Sequence, residues 1–284
     1  MLPGDDGNNI NGPSVIRVPD WVDDPLGKYY MYFAHHSGTY IRLAYSDDPL
    51  GPWTVYPPGS LALKDCAAAH NHIASPDVHV DDEGGQIVMF YHAPAKGLEA
   101  QKTFGAASFD GIDFIAFPVS LGMFYFRVWR HRGWWYALGK SRLYRSASIL
   151  DGYVPGPVVL EVPGTITPDM NEAGNIRHTA VSVAGDELTV YYTKQADAPE
   201  QILCGTIDMS APWTEWRITN EKLVLAPEES WEGANLPIEP STFGACMTPV
   251  RQLRDPCIFQ DGGRTYLYYC VAGEQAIAVA ELIN

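Results

Sequence analysis

Two aspartates stand in short motifs that combine a carboxylate with proline and an apolar run. Asp77 lies in residues 75–80, Ser-Pro-Asp-Val-His-Val, and Asp255 lies in residues 254–259, Arg-Asp-Pro-Cys-Ile-Phe. Two other groups that can move protons, the phenol of Tyr125 and the imidazole of His178, begin similar apolar segments. Such side chains act as general acids and bases when a fold positions them together. The sequence therefore predicts acid–base chemistry.

Arginines accompany the same motifs. Arg127, Arg177 and Arg254 each lie within two residues of one of these side chains. A guanidinium group keeps its proton and binds carboxylates in a bidentate manner. Because three arginines stand against two aspartates, the sequence predicts a local positive surplus. This surplus favours an anionic ligand such as a uronate.

Further candidates lie in segments that we predict to be loops. The longest irregular stretch, residues 220–252, contains Trp231, Glu232 and Glu239, and we expect it to cross the mouth of the site and to offer a carboxylate. Several histidines also lie in loops, where functional residues are common. The residues predicted to contact a ligand are Asn11, His35, His36, His72, His79, Arg127, Arg177, Trp231 and Arg254.

The segments that must position these residues are copies of one unit. Residues 254–269 contain an apolar strand, an Asp-Gly-Gly turn and an aromatic strand, and a third strand follows at 275–281. Asp-Gly and Gly-Gly between apolar runs are strong hairpin signals, because the turn needs positive φ. Four more copies begin near residues 12, 75, 125 and 178, at roughly the forty-to-fifty-residue period of propeller blades.

We therefore predict an all-β fold, a five-bladed β-propeller that forms a single domain over residues 1–284. All-β domains of this length are common. The inner strands, which start near 12, 75, 125, 178 and 255, line the channel of a propeller, so their first residues should converge. We expect the following side chains at one end of that channel: Asp77, Arg127, His178, Arg254 and Asp255.

Composition excludes several classes of partner. The net charge of −15 argues against nucleic acid and against an anionic membrane surface. No apolar run approaches the length of a membrane span. Residues 1–11 are polar and acidic, so we expect no secretory signal. The five cysteines lack metal-type spacing and fit reduced core positions. These features favour a cytoplasmic protein.

The motifs at 75–80 and 254–259, together with Asn-Gly-Pro-Ser-Val-Ile-Arg-Val at 11–18, resemble the blade openings of five-bladed glycosidases of families 43, 32/68 and 117. The resemblance extends over the whole chain as a repeat pattern, and it is strongest to an uncharacterised family-43-like group. It implies an oligosaccharide substrate.

Family 43 takes an Asp base from the first blade, a pKa-tuning Asp from the second and a Glu acid from the third. Only the second carries over, onto Asp77. Asn11 or Gly12 stands at the base position, and Phe124 or Tyr125 stands at the acid position. The chain therefore departs from ordinary family 43 hydrolysis.

Other residues must then supply the acid and the base. Asp255 is the best-placed remaining carboxylate, and the resemblance to family 117 implies that His178 is the acid. Glu232 or Glu239 is a second source. Three functions stay open: a glycoside hydrolase acting on a short, uronate-containing oligosaccharide in an axial pocket, a lyase that uses His178 or Tyr125 as base for β-elimination, and an inactive sugar-binding propeller.

A metal ion is a further question, because imidazole and carboxylate groups together suit several divalent cations. The resemblance to related propellers would allow an axial cation. However, the histidine spacing does not match a zinc motif, and the arginines of the hub repel cations. We predict a site without metal or other cofactor.

Overall fold

The computed structural model describes residues 7–98, 100–160 and 176–283, and it consists of five antiparallel sheets in a ring. In each sheet the strands follow chain order, and the first strands of neighbouring sheets contact each other. The first strand of each sheet is therefore innermost. This is a five-bladed β-propeller, which confirms the predicted fold. No helix within these described ranges is long and apolar enough to cross a membrane.

Four blades have four strands and the fifth has three. Blade 1 consists of β1 (Asn11–Arg17), β2 (Tyr29–Ala34), β3 (Tyr40–Ser46) and β4 (Thr54–Ala62). Blade 2 consists of β5 (Ala74–Asp81), β6 (Gln86–Pro94), β7 (Gln101–Ser108) and β8 (Ile115–Met123). Blade 3 consists of β9 (Phe126–His131), β10 (Trp134–Gly139), β11 (Arg142–Ser146) and β12 (Val154–Val158).

The last two blades follow the same order. Blade 4 consists of β13 (Ile176–Ala184), β14 (Glu187–Lys194), β15 (Ile202–Asp208) and β16 (Thr219–Leu225). Blade 5 consists of β17 (Arg254–Asp261), β18 (Arg264–Val271) and β19 (Ala276–Leu282). The predicted blade starts at 12, 75, 125, 178 and 255 each lie within two residues of the start of an inner strand.

The second strands are apolar along both faces because each blade packs against two neighbours. In β2, Tyr30 and Tyr32 belong to the core between blades 1 and 2, whereas Met31 and Phe33 belong to the core between blades 5 and 1. Successive side chains of a strand point to opposite faces. An unbroken apolar run such as that of β2 is therefore what a strand buried on both faces requires.

The entrances of the inner strands share an unusual backbone conformation. Gly12, Ser75, Tyr125 and Asp255 all have φ between 48° and 66°, in the left-handed region. A bulge follows this residue in β1, β5 and β17, so the entrance side chains turn toward the axis. In β13 the bulge lies between Ile176 and Thr179. Four of the five strand-entrance residues that we aligned from the sequence thus share one backbone conformation.

Side chains two residues further in connect neighbouring inner strands. Ser14 Oγ accepts a hydrogen bond from the N–H of Val78 at 2.9 Å. Asp77 Oδ2 accepts one from the N–H of Val128 at 2.8 Å. Arg127 Nε donates to the carbonyl of Thr179 at 2.9 Å. We call Ser14, Asp77 and Arg127 the inter-blade belt, because each satisfies a backbone group of the next blade.

Candidate active site

The centre of the candidate site is the pair formed by His178 and Asp255. Nδ1 of His178 contacts Oδ1 of Asp255, and both side chains are almost fully buried. The other carboxylate oxygen, Oδ2, accepts the N–H of Gly12 at 3.1 Å and the thiol of Cys270 at 3.5 Å. Both oxygens of Asp255 are therefore engaged, and the carboxylate holds the imidazole in one orientation.

The electrostatics of this pair favour an ionised carboxylate beside a neutral ring. Burial acts to raise the pKa of Asp255, but the imidazole of His178 and the guanidinium of Arg254 outweigh it and hold the pKa well below its ordinary value. Burial lowers the pKa of His178, although Asp255 acts in the opposite direction. A neutral imidazole held through Nδ1 is suited to accept a proton at Nε2.

Tyr125 packs against this imidazole. Its ring centroid lies 4.2 Å from that of His178 and 4.5 Å from that of His92. Burial is the main cause of the raised pKa of Tyr125, and the charge of Asp255 adds to it. The phenol therefore stays protonated, which makes it a hydrogen-bond donor rather than a base. The prediction of Tyr125 as a base is not supported by this environment.

Two arginines beside the pair are neutralised by carboxylates that the sequence had not indicated. Arg177 Nε donates to Glu200 Oε1 at 2.9 Å. Arg254 Nη1 donates to Glu274 Oε1 at 3.0 Å, and its Nε lies 3.3 Å from Glu200 Oε2. All four side chains are buried. Buried charges of opposite sign must be matched in this way, because an unpaired one is costly.

Carboxylates that the sequence had not indicated therefore reduce the predicted positive surplus. Glu200 and Glu274 pair with Arg177 and Arg254, whereas Asp255 contacts His178 and Asp77 contacts His79. Within the described residues, Glu232 and Glu239 make no ion pair with these arginines. The charge count from the sequence was incomplete, because it left out charged residues in turns, which include the buried Lys140 as well as Glu200 and Glu274.

Glu274 contacts several other polar groups of the mouth. Its Oε2 accepts from Asn9 Nδ2 at 2.6 Å and from Asn11 Nδ2 at 3.2 Å, and it lies 3.5 Å from Nδ1 of His36. Burial acts to raise the pKa of Glu274, but the hydrogen bond from His36 and the charge of Arg254 outweigh it and lower the pKa to about 2. Glu274 is a permanent negative charge.

Histidines form the side of the mouth between blades 1 and 2. The rings of His72 and His92 lie 5.9 Å apart in an edge-on arrangement. Burial is the main cause of the lowered pKa of both rings, and the charge of His36 acts in the same direction on each. His35 differs, since its Nδ1 accepts the N–H of Ser37 at 3.0 Å and so stabilises the turn after β2.

The lysine that ends β10 is another charged group of this region. Lys140 is buried and lies 5.7 Å from the ring centroid of Phe124. Burial, with a smaller effect from Arg177, lowers the pKa of Lys140 to about 8. The residues described so far thus form one polar cluster at the end of the channel where the inner strands begin. We call this end the mouth.

Part of the long stretch predicted to cross the mouth does contact it. The carbonyl of Thr242 accepts from Arg177, and that of Cys246 accepts from Asn9 Nδ2 at 3.2 Å. Residues 231–239 of the same stretch make other contacts than the predicted ones with the mouth. Glu232 Oε2 accepts backbone N–H groups of its own turn, and its Oε1 accepts from Tyr269 at 2.8 Å.

The catalytic roles predicted for two glutamates are therefore not supported. Glu232 is buried and completes a capping box in the turn Ser230–Glu232. Such a carboxylate is occupied by its own backbone. Glu239 is exposed, as is Trp231 at 53% of its surface, and neither has a hydrogen bond or ion pair with a residue of the mouth within the described ranges.

Asp77 and Arg127 lie further along the channel than Asp255, although the charge of Arg127 still acts on His178. They line a separate cavity of about 380 Å³, which we call the lower cavity and which extends toward the ends of the inner strands as far as Val183 and Gln260. Two residues along a strand advance it by roughly 7 Å. Asp77 and Arg127 therefore lie one step deeper in the channel than Asp255, rather than beside it as we had expected.

The lower cavity also contains His79. Its Nε2 lies 2.8 Å from Oδ2 of Asp77. Burial acts to raise the pKa of Asp77, but the charge and hydrogen bond of His79 outweigh it, so that the pKa is lowered. The aspartate is thus ionised and is shared between His79 and the belt contact with Val128.

No protein-family model matches the chain. The uncharacterized protein R118 of Acanthamoeba polyphaga mimivirus is 35% identical over 302 residues, and the alignment covers 98% of this chain and 85% of the viral protein. The chain belongs to the R118 family. Solved structures show in addition a similarity of fold that sequence identity alone would not reveal.

A thermostable family-43 glycoside hydrolase superposes with a TM-score of 0.67 at 14% identity, and covers 97% of this chain and 90% of its own. An alpha-L-arabinanase from Cellvibrio cellulosa gives 0.66 at 12%, with 97% and 92% covered. The GH43_1 enzyme from Xanthomonas citri gives 0.65 at 14%, with 97% and 88% covered. The R118-family chain thus has the fold of the family-43 propellers, as the sequence motifs indicated.

The structure also shows what the sequence reasoning missed in this R118-family member. Glu200, Glu274 and Lys140 all lie between the second and third strands of their blades. Because the inner strand starts at the mouth and the second strand returns to it, these turns must also lie at the mouth. His35 and His36 were found by this rule. Applied to every blade, it would have found the other charged residues.

The side chains of the described residues are not arranged as a metal site. Within residues 7–98, 100–160 and 176–283, no group of three or more His, Cys, Asp or Glu side chains is positioned to hold a metal ion. The histidines of the mouth therefore do not form a ligand set with the neighbouring carboxylates in the described part of the chain.

Proposed function

We propose that this protein is a glycoside hydrolase whose proton-transfer pair is His178 and Asp255. The observation that supports the proposal is the imidazole held through Nδ1 by a buried, ionised carboxylate at the mouth. An aspartate in this position fixes the tautomer of the ring and stabilises the imidazolium that forms when the ring accepts a proton. The fold adds support, because family-43 propellers place their chemistry on the same scaffold.

Hydrolysis in this scheme proceeds by direct attack of water. Water attacks the anomeric carbon while the bond from that carbon to the glycosidic oxygen breaks, and Nε2 of His178 takes the proton of the attacking water. An acid on the other side gives a proton to the departing oxygen. Asp255 is buried and fully engaged, so it orients His178 and does not act as a nucleophile. The expected outcome is inversion at the anomeric carbon.

Tyr125 serves binding in this scheme. Its phenol is a donor at the edge of His178, and ring faces of this kind pack against sugars while the hydroxyl groups find hydrogen-bond partners. Asp77 is given no part in the reaction, since it faces the lower cavity. The role implied for it by family 43 is thus replaced by a structural one.

The substrate that the charges favour is the end of a short, neutral oligosaccharide. Arg177 and Arg254 already face Glu200 and Glu274, so binding a uronate would require one of these pairs to open. The carbonyls of Thr242 and Cys246 accept hydrogen bonds from Arg177 and Asn9 of the mouth, and we propose that this segment limits the length of chain that can bind. A pocket of this kind fits a chain end better than the middle of a polymer.

A lyase is the second candidate, because Tyr125 and His178 are in direct contact. A neutral imidazole can take the proton next to a uronate carboxylate, and a protonated phenol can donate to the leaving oxygen. Elimination also requires a cation to neutralise the carboxylate. Arg177 and Arg254 are already paired with buried carboxylates, which argues against this reaction. A sugar-binding propeller without activity is the third possibility.

The test is an assay of matched oligosaccharides, neutral and uronate-containing, with wild type and His178→Gln. We expect new reducing ends from the neutral series, an inverted anomer by NMR, and loss of turnover in His178→Gln. Ultraviolet absorbance from an unsaturated uronate would instead identify a lyase. Binding of the panel without any product would identify a sugar-binding protein, and either result would overturn the proposal.

We propose in addition that the reaction needs no metal. The proton transfers are assigned to protein groups, and in the part of the chain that the structure describes no three His, Cys, Asp or Glu side chains are arranged to hold a metal ion. Turnover should be unchanged after exhaustive chelation. Loss of turnover that is restored by one divalent cation would contradict this part of the proposal.

A further inference from the structure

The mouth contains a second imidazole held by a buried carboxylate. We propose that His36, oriented by Glu274, is the proton donor to the leaving oxygen and acts opposite His178. This inference rests on the proposed hydrolase function and names the acid that the reaction requires. It departs from the expectation that His36 only contacts a ligand.

The geometry of the two pairs is alike. Nδ1 of His36 lies 3.5 Å from Oε2 of Glu274, just as Nδ1 of His178 contacts Asp255. Each carboxylate has 1% of its side-chain surface exposed. In both pairs the Nδ1 atom faces the protein, so Nε2 is the atom that remains for proton transfer to a ligand.

Both carboxylates come from blade 5, and Arg254 lies between them. Asp255 follows Arg254 in β17, and Glu274 follows β18 in the turn to β19. The guanidinium of Arg254 donates to Glu274 at 3.0 Å and also lowers the pKa of Asp255. One buried cation thus keeps two carboxylates ionised, each of which orients an imidazole from another blade.

The position of His36 is fixed by the same cluster. Its backbone N–H donates to Asn9 Oδ1 at 2.8 Å, and Asn9 Nδ2 donates to Glu274 Oε2 at 2.6 Å. Asn11 Nδ2 contributes a further bond to Glu274. The turn after β2 is therefore attached to the carboxylate that orients the imidazole, and a ring in this position is held rather than freely rotating.

The two imidazoles differ in exposure, and the difference assigns their roles. The side chain of His36 is 26% exposed, whereas that of His178 is 4% exposed. A donor to a leaving group must begin the reaction as an imidazolium, and contact with water stabilises that charge, which suits the more exposed ring. The buried ring is kept neutral by its environment, which suits the base.

The two rings belong to one connected network, because His36 lies 3.5 Å from Glu274, which accepts from Arg254, and the next residue, Asp255, contacts His178. The charges of His36 and His178 both lower the pKa of His92, although burial is the larger cause. We infer that a sugar residue bound at the mouth would contact both imidazoles. In the reaction His36 loses a proton to the glycosidic oxygen while His178 gains one from water, so the net charge of the site is conserved.

The experiment compares leaving groups in wild type and His36→Gln. Natural oligosaccharides need a proton on the departing oxygen, whereas nitrophenyl glycosides leave without one. We expect His36→Gln to lower kcat/KM on the oligosaccharide by about 100-fold or more and on the nitrophenyl glycoside by only roughly 5-fold or less.

The matched control is His70→Gln. His70 is an exposed histidine in the loop before blade 2, and its substitution should leave both activities unchanged. Equal losses on both substrates in His36→Gln, or no loss on either, would overturn the proposal for His36 while leaving the hydrolase proposal intact. Absence of turnover in the wild type on every glycoside would overturn the hydrolase proposal itself.

Discussion

Nη1 of Arg254 donates to Oε1 of Glu274 at 3.0 Å, and both side chains are buried. This pair connects the base of the mouth to the turn between β18 and β19. Because the guanidinium keeps its proton, removal of either partner leaves an uncompensated charge inside the protein. The pair therefore contributes to the folded state as well as to the electrostatics of the site.

Arg254→Ala should lower the free energy of unfolding by about 3–5 kcal/mol, since it leaves Glu200 and Glu274 short of a cation in a buried setting. Urea unfolding followed by tryptophan fluorescence measures the change. The control is Arg17→Ala, which removes a pair with Asp261 on the surface and should cost far less than the buried change. Equal costs for the two variants would show that the buried network is not stabilising.

Glu274 also predicts how stability depends on acid. Its pKa is lowered from 4.5 to about 2 in the folded protein. A carboxylate with a lowered pKa stabilises the folded state above its unfolded pKa, and this contribution is lost as pH falls toward the folded pKa. Stability should therefore decline between about pH 5 and pH 2. In Glu274→Gln the decline measured by thermal unfolding should be shallower, and an unchanged slope would contradict the assignment.

Asp255→Asn should change the pH profile of activity as well as its magnitude. The charge of Asp255 raises the pKa of His178, while burial lowers it. Removal of that charge lowers the pKa further, so the acid limb of kcat/KM should move to lower pH. We expect kcat to fall by about 100-fold or more, because the orientation of the base is lost. An acid limb that stays at the wild-type pH would show that this limb does not arise from protonation of His178.

Asp77→Ala tests whether the belt residue has a catalytic role. The change leaves the N–H of Val128 without its acceptor, and a buried unsatisfied group costs roughly 1–3 kcal/mol. The variant should be less stable but should keep its kcat/KM at temperatures where it is folded. A loss of activity at full folding, with stability unchanged, would restore the role that family 43 implies for this aspartate.

Substrate charge is a separate prediction. A neutral oligosaccharide should be turned over faster than the matched uronate, and Arg254→Ala should not reverse this preference at temperatures where it is folded. The reason is that Arg254 is already paired with Glu200 and Glu274. A wild-type preference for the uronate, abolished in Arg254→Ala, would show that the arginine binds substrate and that the network opens on binding.

The fold was predictable because its signals are local and repeated. Asp-Gly-Gly and related turns fix the hairpins, and apolar runs on both faces of strands such as β2 indicate burial between two blades. The alignment of strand entrances also identified the pair of His178 and Asp255. Each of these inferences uses a pattern that recurs along the chain.

The parts that could not be predicted have no such pattern. Glu200 and Glu274 are single charges in turns, and their pairing with Arg177 and Arg254 depends on contacts far apart in sequence. Alignment gives the angular position of Asp77 around the axis but not its height along it. The capping role of Glu232 depends on a turn of one residue triplet, which is too short to show a period.

The carboxylate of Asp255 has a consequence for the integrity of the ring. One oxygen contacts His178 of blade 4, and the other accepts the N–H of Gly12 from blade 1, so this single side chain joins the last blade to both of its neighbours. The circle of blades is completed here by non-covalent contacts between the two ends of the chain. Separation of blade 5 from blade 1 would therefore misalign the imidazole at the same time. Loss of activity on heating and separation of these blades should therefore occur at the same temperature. A ligand bound to His178 should raise that temperature for both.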